Sequence, residues 1–148
     1  MKEKQILFLC MGNTCRSPMA EFICKRKAEF YNIHSLKIIS AGFCVEIESH
    51  LNTHTKQCLL DENFDVEGFM PKQVGHKMLS ESDIIFCMTE NQKKLIEQEY
   101  TGIYSSTDFI GRDIDDPWGE GLEAYKLVYS QIEEVCDKLL KGIQENKL

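Results

Sequence analysis

Apolar residues in this chain form two kinds of pattern, short unbroken runs and spaced stripes. Ile6-Leu7-Phe8-Leu9, closing on Cys10, and Ile84-Ile85-Phe86-Cys87-Met88 are unbroken, as strands buried on both faces would be. Leu36-Lys37-Ile38-Ile39, stopped by Ser40-Ala41-Gly42, reads as another strand, and Tyr104 to Phe109 as a weaker fourth. The stripes alternate with these runs. A helix is expected from Pro18, with Ser17 as its cap and Met19, Phe22, Ile23 and Phe30 as its apolar face. Leu51 to about Glu62 and Asn91 to Gln98 read as further helices, and Met70 to Leu79 as a turn at Pro71 followed by a short helix. The clearest stripe comes last: Leu122, Tyr125, Val128, Tyr129, Ile132, Val135, Cys136, Leu139, Leu140 and Ile143 recur at helical spacing. Asp108 to Gly121, with Gly111, Pro117 and Gly119, is a long polar loop. Strands alternating with helices predict an α/β fold, a three-layer α/β/α arrangement around a four-stranded parallel sheet. Ligands in such folds bind beyond the carboxyl ends of the strands, so the loop after Cys10 and the Asp108–Gly121 loop are where a site is expected.

Composition narrows the classes. A chain of 148 residues is sized for one domain, expected over 1–148, with a polar tail from Gln144 to Leu148 that is expected to fray. The charge balance, 17 basic against 24 acidic residues for a net of -7, argues against nucleic-acid partners, whose phosphates need a neutralising surface. No apolar run is long enough to span a membrane. The polar start Met1-Lys2-Glu3-Lys4-Gln5 leads into too short an apolar stretch for a signal peptide, so a cytoplasmic location is expected. In that reducing setting the 7 cysteines are expected as free thiols. Their spacing, with Cys10 and Cys15 as the only close pair, does not suit a zinc site, and no metal is expected.

The segment Cys10-Met11-Gly12-Asn13-Thr14-Cys15-Arg16-Ser17 carries the candidate chemistry. It lies between a buried strand and a helix start, with five residues between the cysteine and the arginine. That length suffices for a backbone cradle whose N–H groups face an anion, with Gly12 supplying a positive φ to close the turn. Arg16 offers a planar fork of donors matched to phosphoryl oxygens, and the helix adds its positive end. A thiol at Cys10 in such a field would be a ready nucleophile. The plainer alternative is a strand-end cysteine serving as a small hydrophobe and an arginine serving as a surface charge.

The run from Ile6 to Glu21 resembles the N-terminal signature of the low-molecular-weight protein tyrosine phosphatases at nearly every position. Two further pieces match in order: Ser40-Ala41-Gly42 and the Asp-Pro-aromatic motif Asp116-Pro117-Trp118-Gly119. The resemblance covers almost the whole chain. It implies hydrolysis of protein phosphotyrosine through a phosphocysteine intermediate, without a cofactor. By that resemblance Cys10 attacks, and Arg16 with the loop Met11, Gly12, Asn13, Thr14 and Cys15 holds the phosphoryl oxygens. Asn13 props the loop, Ser17 donates to the Cys10 sulfur, and Asp116 serves as general acid and then general base. Trp118 forms a wall of the cleft. Cys15 could form a reversible disulfide with Cys10, although a buried spectator is the bland reading. Asp113 and Asp115 lie close enough to be confused with Asp116, and only Pro117 singles one out. Implied partners are phosphorylated proteins, with the chain itself a monomer or weak dimer.

Three departures from the family pattern stand out. Trp118 occupies a position where many members have tyrosine, and no second aromatic follows it. Thr89-Glu90 follows the third clear strand where many animal-type members begin with aspartate, and Phe69-Met70-Pro71-Lys72-Gln73 replaces a histidine-led stretch. Thr14 bears on substrate. A bacterial branch that acts on phosphoarginine has threonine there, and its hydroxyl makes that edge of the pocket smaller and more polar. Phosphoarginine is therefore an alternative substrate. Thioredoxin-coupled arsenate reduction is another alternative, disfavoured because Cys87 has no relay partner before Cys136. A phosphocarrier domain would keep its phosphocysteine, which Arg16 and Asp116-Pro117 argue against, and a silent binding module would not retain every key residue.

Overall fold

The computed structural model describes residues 3–148; Met1 and Lys2, part of the polar start, lie outside them. Four parallel strands, β1 (Lys4–Cys10), β2 (Leu36–Gly42), β3 (Ile84–Cys87) and β4 (Ile103–Ser105), form one sheet in the order β2-β1-β3-β4. The register runs from Lys4 opposite Leu36 to Cys10 opposite Gly42, and from Ile6 opposite Ile84 to Leu9 opposite Cys87. β1 is thus central, and its unbroken apolar run is explained by burial on both faces. Ile6, Phe8, Ile84 and Phe86 face a core shared with α1 (Arg16–Phe30), α2 (Thr53–Asp61) and α6 (Leu122–Gln144). Leu7, Leu9, Ile85 and Cys87 face a smaller core closed by Leu79 of α3 (His76–Glu81) and by Ile96, just beyond α4 (Glu90–Lys94). Helices on both faces of a four-stranded parallel sheet are the expected three layers.

Most of the α6 stripe is buried or packed against the larger core, as its spacing predicts. Several local expectations are corrected. The weak fourth strand ends at Ser105, where a reciprocal capping box between Ser105 and Asp108 starts α5 (Ser106–Ile110). The polar loop therefore begins after α5, at Gly111, whose left-handed φ of 74° terminates that helix. The helix expected over 91–98 is α4, begun by Thr89 accepting from the Gln92 N–H and continued beyond Lys94 as turns. Asn52 caps α2 by accepting from the amides of His54 and Thr55, so Leu51 precedes the helix rather than opening it. Phe30 is 79% exposed and is not part of the α1 core face. The carboxyl-terminal tail is tied down: the Leu148 carbonyl accepts from Lys4 Nζ at 2.9 Å, and its side chain packs on the larger core.

Candidate active site

Where β1 ends, the chain turns through residues 11–15 before entering α1 at Arg16, two residues earlier than Pro18. The N-cap is Cys15, so Ser17 lies inside the first turn and does not cap it. Its hydroxyl instead faces the Cys10 sulfur at 2.9 Å. Nor does Gly12 close the turn. The left-handed residue is Asn13, at φ 54°, a conformation asparagine tolerates better than most side chains. Asn13 is fully buried and is held from three sides. Its Nδ2 donates to Ser17 Oγ at 2.8 Å and to Ser40 Oγ at 3.0 Å, and its Oδ1 accepts from the Lys72 amide at 2.9 Å.

The loop carbonyls are drawn outward by neighbouring segments. Phe43 N–H donates to the Cys10 carbonyl at 3.0 Å, Cys44 N–H to Met11 at 2.8 Å, and Asn52 N–H to Thr14 at 2.9 Å. Among the described residues, the amides of residues 11–15 have no protein acceptor, which leaves a run of unengaged donors at the amino end of α1. The backbone approach requires glycine at position 42: a Cβ there would lie 2.8 Å from the Met11 carbonyl oxygen and 3.0 Å from the Asn13 nitrogen. The Ser40-Ala41-Gly42 motif thus supplies both a buried hydroxyl and the clearance for the loop.

Arg16 is almost fully buried, 4% exposed, and its fork is aimed by the loop opposite. Nη1 donates to the Ile114 carbonyl at 2.9 Å, and Nη2 lies 3.7 Å from Asp116 Oδ2. The Asp116 carboxylate is half exposed and accepts from the Trp118 amide at 3.0 Å. Its neighbours differ. Asp113 Oδ1 accepts from the Glu90 amide at 2.9 Å and from Thr107 Oγ1 at 3.2 Å, a structural bracing role, while Asp115 is exposed. The structure therefore brings Cys10, Arg16 and Asp116 to one end of the sheet.

Beside them is a cleft of ≈ 240 Å³, lined on its floor by Met11, Gly12, Thr14 and Cys15 and on its sides by Asp116, Trp118 and Tyr125. Trp118 stands 78% exposed at its edge. Asn52, Cys44, Glu46 and Ser49 complete the lining, and the sequence reading had assigned none of them to the site. Tyr125 was legible only as part of the α6 stripe; Asn52 and Glu46 carry no motif. The Cys15 thiol is pushed up to about 12, chiefly by burial and only partly offset by the Thr55 hydroxyl and Arg16. Cys87 is likewise raised by burial to about 12 and is fully enclosed, which suits a packing residue and not a thiol relay. Among the described residues, no three His, Cys, Asp or Glu side chains converge as metal ligands.

A model of the family described as low molecular weight phosphotyrosine protein phosphatase matches residues 5–148. A low molecular weight protein-tyrosine-phosphatase of Acinetobacter johnsonii is 33% identical over 122 residues, 80% of this chain and 82% of that protein. A protein-arginine-phosphatase of Bacillus subtilis is 26% identical over 150 residues, 96% of this chain and 98% of that one. Among solved structures, a low molecular weight protein tyrosine phosphatase from T. tengcongensis superposes with a TM-score of 0.86 at 28% identity, covering 95% of this chain and 99% of the other. With a strand-to-helix anion loop, a buried arginine and a carboxylate across the cleft, and with the family match spanning nearly its full length, the chain belongs to the low molecular weight phosphotyrosine protein phosphatase family.

Proposed function

We propose that the chain hydrolyses phosphotyrosine in proteins through a phosphocysteine intermediate on Cys10. The observation that carries this reading is the set of unengaged amides at residues 11–15, next to the buried Arg16 fork and Cys10. A phosphoryl group seated there would place its equatorial oxygens on the amides and Arg16, with its phosphorus facing the sulfur. In the first half-reaction the Cys10 thiolate attacks phosphorus, an S–P bond forms, and the P–O bond to the leaving oxygen breaks. Asp116 gives that oxygen its proton. In the second, Asp116 as carboxylate takes a proton from water, the water oxygen attacks phosphorus, and the S–P bond breaks to return the thiolate. Ser17 donates to that thiolate and eases its departure. Asn13 holds the loop in its left-handed turn. Arg16 and the amides supply the positive field a metal would otherwise provide, so no cofactor enters the scheme.

The fully buried arrangement of residues 6–10 and the wrapping of α6 across one face support reading 1–148 as one domain. Among the described residues no helix is long and apolar enough to cross a membrane. A cytoplasmic enzyme acting as a monomer or weak dimer is part of this proposal on the strength of the family resemblance. Cys15, in the same short loop as Cys10, is the thiol the family resemblance implies for capturing an oxidised Cys10, Cys10 sulfenic acid and the Cys15 thiol giving a disulfide and water. Its burial, which pushes the thiol up to about 12, keeps it protonated and makes that capture slow until the loop opens.

A second reading, phosphoarginine as substrate, is favoured by Thr14, whose side chain contributes a polar edge to the cleft floor, and by the arginine phosphatases among the relatives. The deciding experiment compares kcat/KM on one peptide carrying phosphotyrosine or phosphoarginine at the same position. Preference for the aryl ester supports the tyrosine reading. Preference for the phosphoguanidinium transfers the enzyme to the second, and turnover of neither defeats both.

A further inference from the structure

Behind the Cys10 sulfur, polar side chains form a single file that ends on a buried carboxylate. Glu21, on the second turn of α1, is 7% exposed. Its Oε1 accepts from Ser40 Oγ at 2.7 Å, and its Oε2 receives Lys25 Nζ at 2.8 Å. Ser40 in turn meets Asn13, Asn13 meets Ser17, and Ser17 meets Cys10.

Counting hydrogens fixes the direction of every link. A carboxylate has no hydrogen to give, so the Ser40 hydroxyl donates to Glu21 and must accept from Asn13. The Asn13 amide cannot be turned over, because the Lys72 N–H, which can only donate, faces its Oδ1 at 2.9 Å. Nδ2 therefore gives one hydrogen to Ser40 and the other to Ser17. Having accepted from Asn13, Ser17 has one hydrogen left and two acceptors within reach, Cys10 Sγ at 2.9 Å and the Ala41 carbonyl at 3.4 Å. The nearer partner is the sulfur. With an acceptor missing at position 21, the Ser40 hydrogen would lose its destination, Ser40 would no longer be held as an acceptor for Asn13, and the Lys72 N–H would be left as the one partner fixing the Asn13 amide.

We propose that Glu21 is a positioning residue for the reaction. Through Ser40 and Asn13 it sets the direction in which Ser17 donates, and so keeps a donor on the Cys10 thiolate. The proposal rests on Cys10 being the nucleophile. Lys25 compensates the charge of Glu21 from the half-exposed side.

A double-mutant cycle on the full chain tests it, with an aryl phosphate as substrate. Glu21→Met is expected to lower kcat about tenfold with little change in KM, the loss typical of a buried charge-assisted link. In a Ser17→Ala background, where the last donor is already gone, the same change should cost no more than about twofold. Glu21→Gln keeps a carbonyl oxygen for Ser40 and should restore most of kcat. If Glu21→Met does not fold, Ser40→Ala breaks the same link and enters the same cycle. An equal loss of kcat in both backgrounds, or Glu21→Gln as damaging as Glu21→Met, overturns the proposal while leaving Cys10 as nucleophile. A parent enzyme that turns over neither an aryl phosphate nor a phosphoarginine peptide removes the nucleophile reading and the proposal together.

Discussion

The loop at residues 10–17, which carries the proposed nucleophile, and the loop at residues 111–121, which carries the proposed acid, face each other across one cleft, yet they are built on opposite principles. In the first, the Cys10, Asn13, Arg16 and Ser17 side chains are nearly or fully buried, and three carbonyls are held by amides from two other segments. The second is a mostly exposed loop anchored to the core at Ile114, whose amide donates to the Met88 carbonyl at 2.9 Å and whose carbonyl receives Arg16. A group that must hold an anion in one geometry benefits from burial and redundant hydrogen bonds. A group that exchanges protons with substrate and then with water must remain wet. The two needs are met by putting the fixed donors on a strand–helix junction and the carboxylate on a loop.

The largest effects should come from breaking the buried side. Cys10→Ser is expected to abolish turnover while phosphate still binds, measured by product inhibition of the parent and calorimetry of the variant. Arg16→Lys should lower kcat/KM by at least about 10²-fold, because a point charge cannot replace two directed donors.

On the wet side the loss should depend on the leaving group. Asp116→Asn is expected to slow release of a poor leaving group such as tyrosine by about 10²–10⁴-fold, and an activated phenol much less. Asp115→Asn should change neither. Asp113→Asn should weaken stability by about 1 kcal/mol, since it alone braces the Glu90 amide and Thr107, and should leave the leaving-group slope intact. A leaving-group series on all three variants separates these outcomes; a steep slope appearing in Asp113→Asn or Asp115→Asn would reassign the acid.

Alanine at a glycine packed against the first loop and at one within the second sharpens the contrast further. Gly42→Ala forces a methyl to 2.8 Å from the Met11 carbonyl and should cost about 1–3 kcal/mol in urea denaturation, with activity falling as the cradle shifts. Gly119, at φ 84° with open space around it, should cost only about 1–2 kcal/mol of backbone strain on substitution by alanine, with a smaller effect on the cradle.

The smallest effect concerns the buried thiol that the acid loop lacks. Cys15 is raised from 9.0 to about 12, so its neutral form is the one the fold favours. That contribution is fully present below pH 9.0 and is lost as pH rises toward about 12, because the unfolded chain releases this proton first. Urea midpoints should therefore fall above pH 9 in the parent, and less steeply in Cys15→Ala. In the same variant, peroxide should no longer yield a disulfide on Cys10. Peptide mapping of the parent that finds Cys10 joined to a different cysteine would remove Cys15 from that role.

The candidate site was legible in the sequence where its chemistry is local. Cys10, Arg16 and the amides between them lie within seven consecutive residues, and Asp116-Pro117 is marked by its proline. Less legible is what holds them. The local pattern reads Ser17 as a helix cap, and the family resemblance reads it as a donor to the Cys10 sulfur. The helix starts at Arg16 and turns the hydroxyl inward to 2.9 Å from the sulfur, so only the capping reading is corrected. Gly12 was expected to supply the left-handed turn, yet Asn13 takes it because its side chain is bound on three sides. The strand expected through Phe109 stops at Ser105 because a capping box four residues long outweighs the apolar pattern.

The sequence by itself determined the alternation of buried strands and covering helices, since burial on two faces or one imposes its own spacing on the chain. It also marked the Cys10–Arg16 loop as the candidate site, since the proposed chemistry needs its residues close together. Only the tertiary structure decided that Glu21, Ser40, Lys72, Asn52 and Gly42 converge on that loop. They come from α1, from β2 and from segments up to 59 residues away, and each contributes a single donor, acceptor or clearance. Glu21, Ser40 and Gly42 lie in stretches that the family resemblance marks without saying what they touch, while Lys72 and Asn52 leave no periodicity or motif of their own, because their meaning depends on what the sheet register brings beside them.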